Sequence, residues 1–328
     1  MSKFLVRRLL LAVFIVICGA LIVYAVIRAL PMSFVETIAR QRSQQPGAMS
    51  YAQTVNQLNE VYGLNLKILP GFWRWFQNAL HGNFGDSWAY NIAVVTKFSK
   101  VIWYSVVLNI ITLFFEIILC IPLGILAARK QYSKTDYAVT VFALMGISLP
   151  SFFLATILKY IFSINLGWFD LYGIVGRYHE QLGTMGKLLD MGKHLVLPIM
   201  TLAMLSVGGL MRYTRTNMLE VLSADYIRTA RAKGLSERVV INKHAFRNTL
   251  IPLVTYMSYL LPSMFAGSMI TETLFQIPGI GYIAYGAIVK GDIPFTMFYS
   301  VFLILLTQVS LMTADIMYAV VDPRVRIN

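Results

Sequence analysis

The sequence predicts an all-α integral membrane protein that crosses the bilayer six times. Two observations support this prediction. Of the 328 residues, 57% are hydrophobic and 13% are charged, whereas a soluble domain has about 25% charged residues, and the mean hydropathy is +0.65. The apolar residues are also gathered into long runs, and a helix needs about 20 mostly apolar residues to cross the hydrocarbon core.

The first apolar run, Leu9–Ile27, lies within residues 1–30 and follows Arg7 and Arg8. Basic residues before an apolar stretch are also found in secretory signals, but this run is too long for one and no convincing cleavage site follows it. We therefore predict a retained anchor helix. The other spans are predicted at residues 101–128, 137–158, 195–211, 249–270 and 295–321.

The distribution of basic residues predicts the orientation of these spans, because Lys and Arg accumulate in cytoplasmic segments close to span ends. With the N-terminus in the cytoplasm, sixteen of the 28 Lys and Arg residues fall in inside segments. Both termini are then cytoplasmic. Residues 31–100 form a small, aromatic-rich extracytoplasmic lobe between spans 1 and 2, and residues 101–328 form the membrane core.

Several function classes find no support in the sequence. The net charge of +13 does not indicate nucleic-acid binding, since the cations lie between apolar runs, where topology explains them. Cys18 and Cys120 lie inside apolar runs without ligand spacing, so we interpret them as packing residues. His179-Glu180 begins like a zinc-protease motif, but Gly183 stands where the second His is required. We predict no catalytic, cofactor-binding or metal-binding residues.

Residues 212–248 form the most highly charged segment of the core, with eight cations between Arg212 and Arg247. At about 2.5–3.5 kcal/mol for each central Lys or Arg, burying them in the membrane would cost over about 20 kcal/mol. The segment is therefore a cytoplasmic loop. Ser223 is expected to cap a helix over Ala224–Lys233, Gly234 to end it with a positive φ, and Ser236 to cap a second helix.

Two interpretations of this loop remain open on physical grounds alone. It is either a solvated basic connection or a docking element for another protein. Ala230, Ala232 and Gly234 favour docking, because small side chains let another backbone approach closely and the surrounding cations suit an acidic groove.

The segment EVLSADYIRTARAKGLSERVVINKHAFRNTLIP, residues 220–252, resembles the cytoplasmic EAA loop of ABC importer permeases, in the form found in dipeptide and oligopeptide permeases. Arg228-Thr229-Ala230 occupies the EAA position, with only the last Ala kept, and Gly234 occupies the Gly position. Leu250-Ile251-Pro252 lies further from the Gly than the usual spacing. Similar segments follow the family order along nearly the whole chain, among them GNFGDSW (82–88), SLPSFF (148–153), ETLFQIPGIG (272–281), GDIP (291–294) and DPRVR (322–326).

This resemblance implies the permease subunit of an ATP-driven importer for oligopeptides or dipeptides in the cytoplasmic membrane of a bacterium or archaeon. The expected partners are a second homologous permease, two ABC ATPase subunits and an extracytoplasmic solute-binding protein. No GxxxxGK[ST] loop occurs in the chain, so ATP and Mg would be bound and ATP hydrolysed by the partner subunits. The expected ATPase-coupling residues are Arg228, Thr229, Ala230, Arg231, Ala232, Lys233, Gly234 and Leu235.

The alternative functions are of two kinds: the same architecture with another solute, or transport that needs no ATPase partner. A related importer would carry a nickel chelate, glutathione or a glycan, whereas a stand-alone channel or secondary carrier would work without partners. Among the charges within spans, Glu116 is the deepest, and we predict that it lines the transport cavity or makes an interhelical hydrogen bond. Lys159 is expected either to serve transport or to snorkel outward. Proline interrupts spans two to five, at Pro122, Pro150, Pro198 and Pro262.

Overall fold

The computed structural model describes residues 2–29, 39–41, 43–44, 50–63 and 65–321. Within these ranges the regular structure is helical, apart from a bridge pair between Asp86 and Ala93. The all-α prediction is therefore confirmed. The chain after Val321, which contains the DPRVR segment, lies outside the described residues.

The helices follow one another along the chain as α1 (Ser2–Arg28), α2 (Tyr51–Tyr62), α3 (Ile68–Leu80), α4 (Val94–Arg129), α5 (Lys134–Ser148), α6 (Ser151–Leu158), α7 (Thr184–Ser223), α8 (Asp225–Ala232), α9 (Glu237–Val239), α10 (Phe246–Phe275), α11 (Ile280–Val289) and α12 (Ile293–Val321). Two π-helical segments continue them, Lys159–Asn165 after α6 and Val240–Ala245 between α9 and α10. The chain divides into two compact units, Met1–Trp103 with Gly279–Val309 and Tyr104–Pro278 with Ser310–Asn328.

The first unit is built around an aromatic core. Tyr24 of α1 packs edge-on against Phe72 of α3 and beside Trp75, and all three side chains are buried. The Arg28 guanidinium donates a 2.7 Å hydrogen bond to the Leu66 carbonyl, which ties the end of α1 to the lobe. The predicted lobe therefore packs on α1 and on the chain that begins at Ile293, as part of one unit.

The second unit is held together by close crossings of α4, α5 and α7. A Cβ atom at Gly146 would lie 2.2 Å from the Met204 carbonyl oxygen, and one at Gly208 would lie 2.4 Å from the Ala143 carbonyl oxygen. Only glycine fits at either position. Small residues at such a crossing let the backbones of α5 and α7 approach closely. Helices in a bilayer associate through such close packing, because the lipid tails are as apolar as the side chains they would otherwise contact.

The third predicted span, residues 137–158, is not one straight helix. It is divided into α5 and α6, whose axes are bent by 105° with the π-helical segment included. Pro150 has no backbone N–H and disfavours the helical conformation at the residue before it, and Leu149 is extended with φ −87° and ψ 129°. The sequence indicated a kink at Pro150, but the structure shows a complete break.

Four of the described helices are long and apolar enough to cross a membrane, and a fifth span is counted if the bent pair is one span. The fifth predicted span, residues 249–270, lies within α10. Span four is longer than predicted, since α7 continues as a helix to Ser223. The multi-span architecture is confirmed, while the count of six and the cytoplasmic location of both termini stay predictions.

Candidate functional site

The predicted docking helix is present as α8, but its N-terminus differs from the prediction. Ser223 is the last residue of α7, and its hydroxyl donates to the Glu220 carbonyl at 2.7 Å. Ala224 is extended, and its carbonyl accepts hydrogen bonds from Ile227 and Arg228. The predicted N-cap at Ser223 is therefore wrong, because α7 extends about three turns beyond its predicted end and includes Ser223 as its last residue.

The turn after α8 agrees with the prediction. Gly234 has φ +76°, a conformation that L-amino acids rarely adopt, and it follows Lys233 at the end of the helix. Ser236 precedes α9 in the N-cap position, although its carbonyl rather than its hydroxyl accepts the first hydrogen bonds, from Val239 and Val240. The connection is thus a tight helix–turn–helix that continues into α10.

One face of α8 is buried against the same chain. Ile227 is fully buried and Ala230 is 5% exposed. Both belong to a hydrophobic cluster that joins the ends of α4 and α7 to the π-helical segment before α10, and we call it the backing cluster. Its buried members are Ala128, Met218, Ile227, Ala230, Val240, Ile241 and Ala245. The inner face of α8 thus packs on side chains of α4, of α7 and of the π-helical segment that leads into α10.

The opposite face of α8 and the turn are exposed. This tip surface consists of Arg228, Thr229, Arg231, Ala232, Lys233, Gly234 and Leu235. A Cβ atom at Gly234 would meet nothing within 4 Å, so the turn stands clear of the chain. Seven of the eight residues predicted to contact an ATPase are thus available for a partner, whereas Ala230 is turned inward.

An ion pair closes the turn across Gly234. The Arg231 guanidinium donates to both carboxylate oxygens of Glu237, at 2.8 and 3.2 Å. The hydrogen bond from Arg231 is the main reason why the pKa of Glu237 lies below its usual value. Because both side chains are more than 40% exposed, solvent screens the pair, and it fixes the shape of the turn more than it stabilises the fold.

A second ion pair, which was not predicted from the sequence, lies at the N-terminal end of α5. Asp136, whose side chain is 5% exposed, accepts two hydrogen bonds from Arg215 of α7, at 2.7 and 2.8 Å. The backbone N–H of Tyr132 also donates to Asp136. Ser133 caps α5 by accepting from the Asp136 N–H, and this Ser-x-x-Asp spacing was the signal in the sequence.

The buried charges of the membrane helices are placed inside the second unit. Glu116 is 2% exposed, and its assignment to a transport cavity stays a prediction. Glu272 is fully buried and accepts hydrogen bonds from Ser105 and Ser268, at 2.6 and 3.1 Å. Lys159 does not snorkel outward, because its ammonium donates to the carbonyl of Leu274 at the end of α10.

A histidine–aspartate cluster fixes the connection between α6 and α7. Asp190 accepts a hydrogen bond from the Gly176 N–H and lies 2.6 Å from Nδ1 of His179. The Nε2 atom of His194 lies 3.3 Å from the carboxylate of Asp170. Among the described residues no group of three His, Cys, Asp or Glu side chains is arranged to hold a metal ion.

Comparison with known proteins gives the class of the molecule, the inner-membrane subunits of transport systems. Residues 120–327 match the family described as "Binding-protein-dependent transport system inner membrane component", and the chain belongs to this family. It is 34% identical over 329 residues to the oligopeptide transport system permease protein AppB of Bacillus subtilis, covering 99% of each chain.

Two further relatives have similarly complete matches. The dipeptide transport system permease protein DppB of Alkalihalophilus pseudofirmus is 31% identical, with 99% of this chain and 100% of the relative covered. The di/tripeptide transport system permease protein DppB of Pseudomonas aeruginosa is 32% identical, with 99% of each chain covered. The chain is thus a multi-pass permease subunit of a binding-protein-dependent transport system.

Proposed function

We propose that this chain forms half of the translocation pathway of an ATP-driven importer for oligopeptides or dipeptides, and that the tip surface couples it to ATPase subunits. The observation that carries the coupling proposal is the two-sided construction of α8. Its outer face is cationic and exposed, while Ile227 and Ala230 fix its inner face to the backing cluster. A partner that moves the tip therefore moves α4, α7 and α10 as well.

The peptide substrate is proposed from the relatives, which are named as oligopeptide, dipeptide and di/tripeptide permeases and match this chain over 99% of its length. The proposed partners are a second homologous permease, two ABC ATPases that bind ATP and Mg, and an extracytoplasmic solute-binding protein. On this proposal the chain itself is not an enzyme and binds no cofactor. Its location is the cytoplasmic membrane of a bacterium or archaeon.

The test is reconstitution of the complex with its native partners in proteoliposomes. We expect a peptide-loaded binding protein to stimulate ATP hydrolysis severalfold and to drive uptake of the peptide, while the two permeases without ATPases give no uptake. Uptake by this chain alone under an ion gradient would contradict the importer proposal. Stimulation by a nickel chelate, glutathione or a glycan, but not by peptides, would contradict only the proposed substrate.

A further inference from the structure

A groove with a volume of about 760 Å³ lies between the end of α4 and the start of α10. Its floor is apolar and includes Ile121, Ile125 and Leu126 of α4 together with Ile241 and Phe246. The groove belongs entirely to the second unit and does not include any residue of the tip surface.

In the part of the chain that the structure describes, the polar end of this groove carries cationic and neutral groups. Arg129, at the end of α4, and Arg238, in α9, line it together with Asn242. Both arginines are exposed, and neither makes a hydrogen bond or an ion pair within the described part of the chain. Glu237 lies within electrostatic reach of Arg129, but its hydrogen bonds go to Arg231. No acidic side chain among the described residues lines the groove, and its two arginines give its mouth a positive charge.

The dimensions of the groove fit the position of a lipid at the membrane surface. From Ile121 to Arg129 the helix rises about 12 Å, at about 1.5 Å per residue. Ile121 and Pro122 lie within the apolar run of the span, whereas Arg129 ends it at the side that the basic residues place in the cytoplasm. In the predicted orientation, the apolar floor is directed toward the hydrocarbon region and the two guanidinium groups toward the cytoplasmic surface, where lipid phosphates lie.

We propose that this groove binds an anionic phospholipid of the cytoplasmic leaflet, with an acyl chain along the floor and the phosphate between Arg129 and Arg238. Guanidinium groups bind phosphate through paired, charge-assisted hydrogen bonds, and basic pockets between helices on the cytoplasmic side are suited to anionic headgroups. The apolar floor favours a lipid over a free anion, and the pair of arginines favours an acidic lipid over a zwitterionic one.

The bound lipid would contact the segment that lies behind the tip surface. Ile241 belongs both to the groove and to the backing cluster under α8, and Arg238 follows Glu237, which closes the turn. The lipid therefore holds the end of α4 against the segment that leads from the tip surface into α10.

The experiment measures lipid binding to the assembled transporter by native mass spectrometry, with phosphatidylglycerol and phosphatidylcholine of equal chain length. We expect phosphatidylglycerol to bind at least about tenfold more tightly. The double variant Arg129→Gln, Arg238→Gln should lose this preference. The control Lys130→Gln, Lys243→Gln removes the same charge from exposed positions outside the groove and should keep it. The variant Arg129→Lys, Arg238→Lys retains both charges and should keep part of it.

Four results would overturn the proposal. They are equal binding of the two lipids by the unchanged protein, the same loss of preference in the lysine control, full competition by glycerol phosphate, and no lipid binding in the assembled complex. The third would show that the site takes a free anion, and the fourth that another subunit covers the groove. None of these results depends on transport, so each is separate from a failure of the proposed function.

Discussion

Ser87 and Asp292 are 205 positions apart in the sequence, and the Ser87 hydroxyl donates a short hydrogen bond to the Asp292 carboxylate. The backbone N–H of Ala89 donates to the same carboxylate oxygen, and the N–H of Phe295 donates to the other. One fully buried side chain thus caps α12 and holds the GNFGDSW segment of the lobe. Both segments carry the family resemblance, but nothing in their sequences indicates that they touch.

Removing the hydroxyl of Ser87 should loosen the lobe. Ser87→Ala leaves the buried carboxylate of Asp292 short of one donor, which costs about 1–3 kcal/mol. We expect a lower melting temperature and faster hydrogen exchange in residues 83–92. Ser99→Ala is the matched control, since the exposed Ser99 hydroxyl only donates to the carbonyl of Thr96 in its own helix. Equal stability of the two variants would show that the bond contributes nothing.

Gly234→Val should uncouple ATP hydrolysis from transport while the complex still assembles. Gly234 has φ +76°, and a side chain in this conformation costs about 1–2 kcal/mol, so the turn will change shape. The measurement is the ratio of peptide taken up to ATP hydrolysed in proteoliposomes. Gly183→Val serves as the control, because Gly183 also has open space around it but an ordinary φ of −67°. Transport at the unchanged rate in Gly234→Val would refute the coupling role.

Ala230 and Ala232 are two residues apart, and the structure places Ala230 in the backing cluster and Ala232 on the exposed tip surface. Ala230→Leu overpacks the backing cluster and should destabilise the protein by about 1–3 kcal/mol. Ala232→Leu adds bulk to an exposed position, so it should change stability by less than about 0.5 kcal/mol and weaken binding of the ATPase. Thermal unfolding and a pull-down of the ATPase subunit separate the two effects. The reverse pattern would mean that α8 presents its other face to the partner.

The pair between Arg231 and Glu237 should give the turn a pH dependence. The pKa of Glu237 is lowered by the hydrogen bond from Arg231, so the contribution of the pair is present above the ordinary Glu value of about 4.3 and is lost as the pH falls through the lower folded value. Glu237→Gln should therefore increase the rate of amide hydrogen exchange in the turn at pH 7. The increase should not exceed several-fold, because an exposed pair contributes about 1 kcal/mol or less. The difference from the unchanged protein should shrink as the pH falls below the ordinary Glu value of about 4.3, and it should vanish only below the lower folded pKa of Glu237.

Glu220→Gln is the control for this measurement. Glu220 is also exposed and acidic, and its carboxylate makes no ion pair among the described residues. It should leave exchange in the turn unchanged at every pH. A pH-independent effect of Glu237→Gln would show that the side chain acts through packing and not through its charge.

Predictions that depended on local sequence were mostly accurate. The positive φ of Gly234, the helix before it and the cap position of Ser236 were all predicted, because each depends on the conformational preference of one residue and its neighbours. The cap predicted at Ser223 was wrong for a related reason, since the pattern does not show that α7 continues past the predicted end of span four. Pro150 was correctly seen as a perturbation, but the sequence does not give the angle at which two helices leave a break.

The sequence by itself determined the membrane character and the predicted orientation of this protein, because the free energy of inserting apolar and charged residues is nearly additive along the chain, and its motifs indicated the family by resemblance. Only the tertiary structure decided which side of α8 is buried, that Arg215 pairs with Asp136, and that Ser87 contacts Asp292. These contacts join segments far apart in the sequence, and they depend on how helices cross. The inward turn of Ala230 is one such result, since the same small residue suits a partner's surface and the chain's own core equally well.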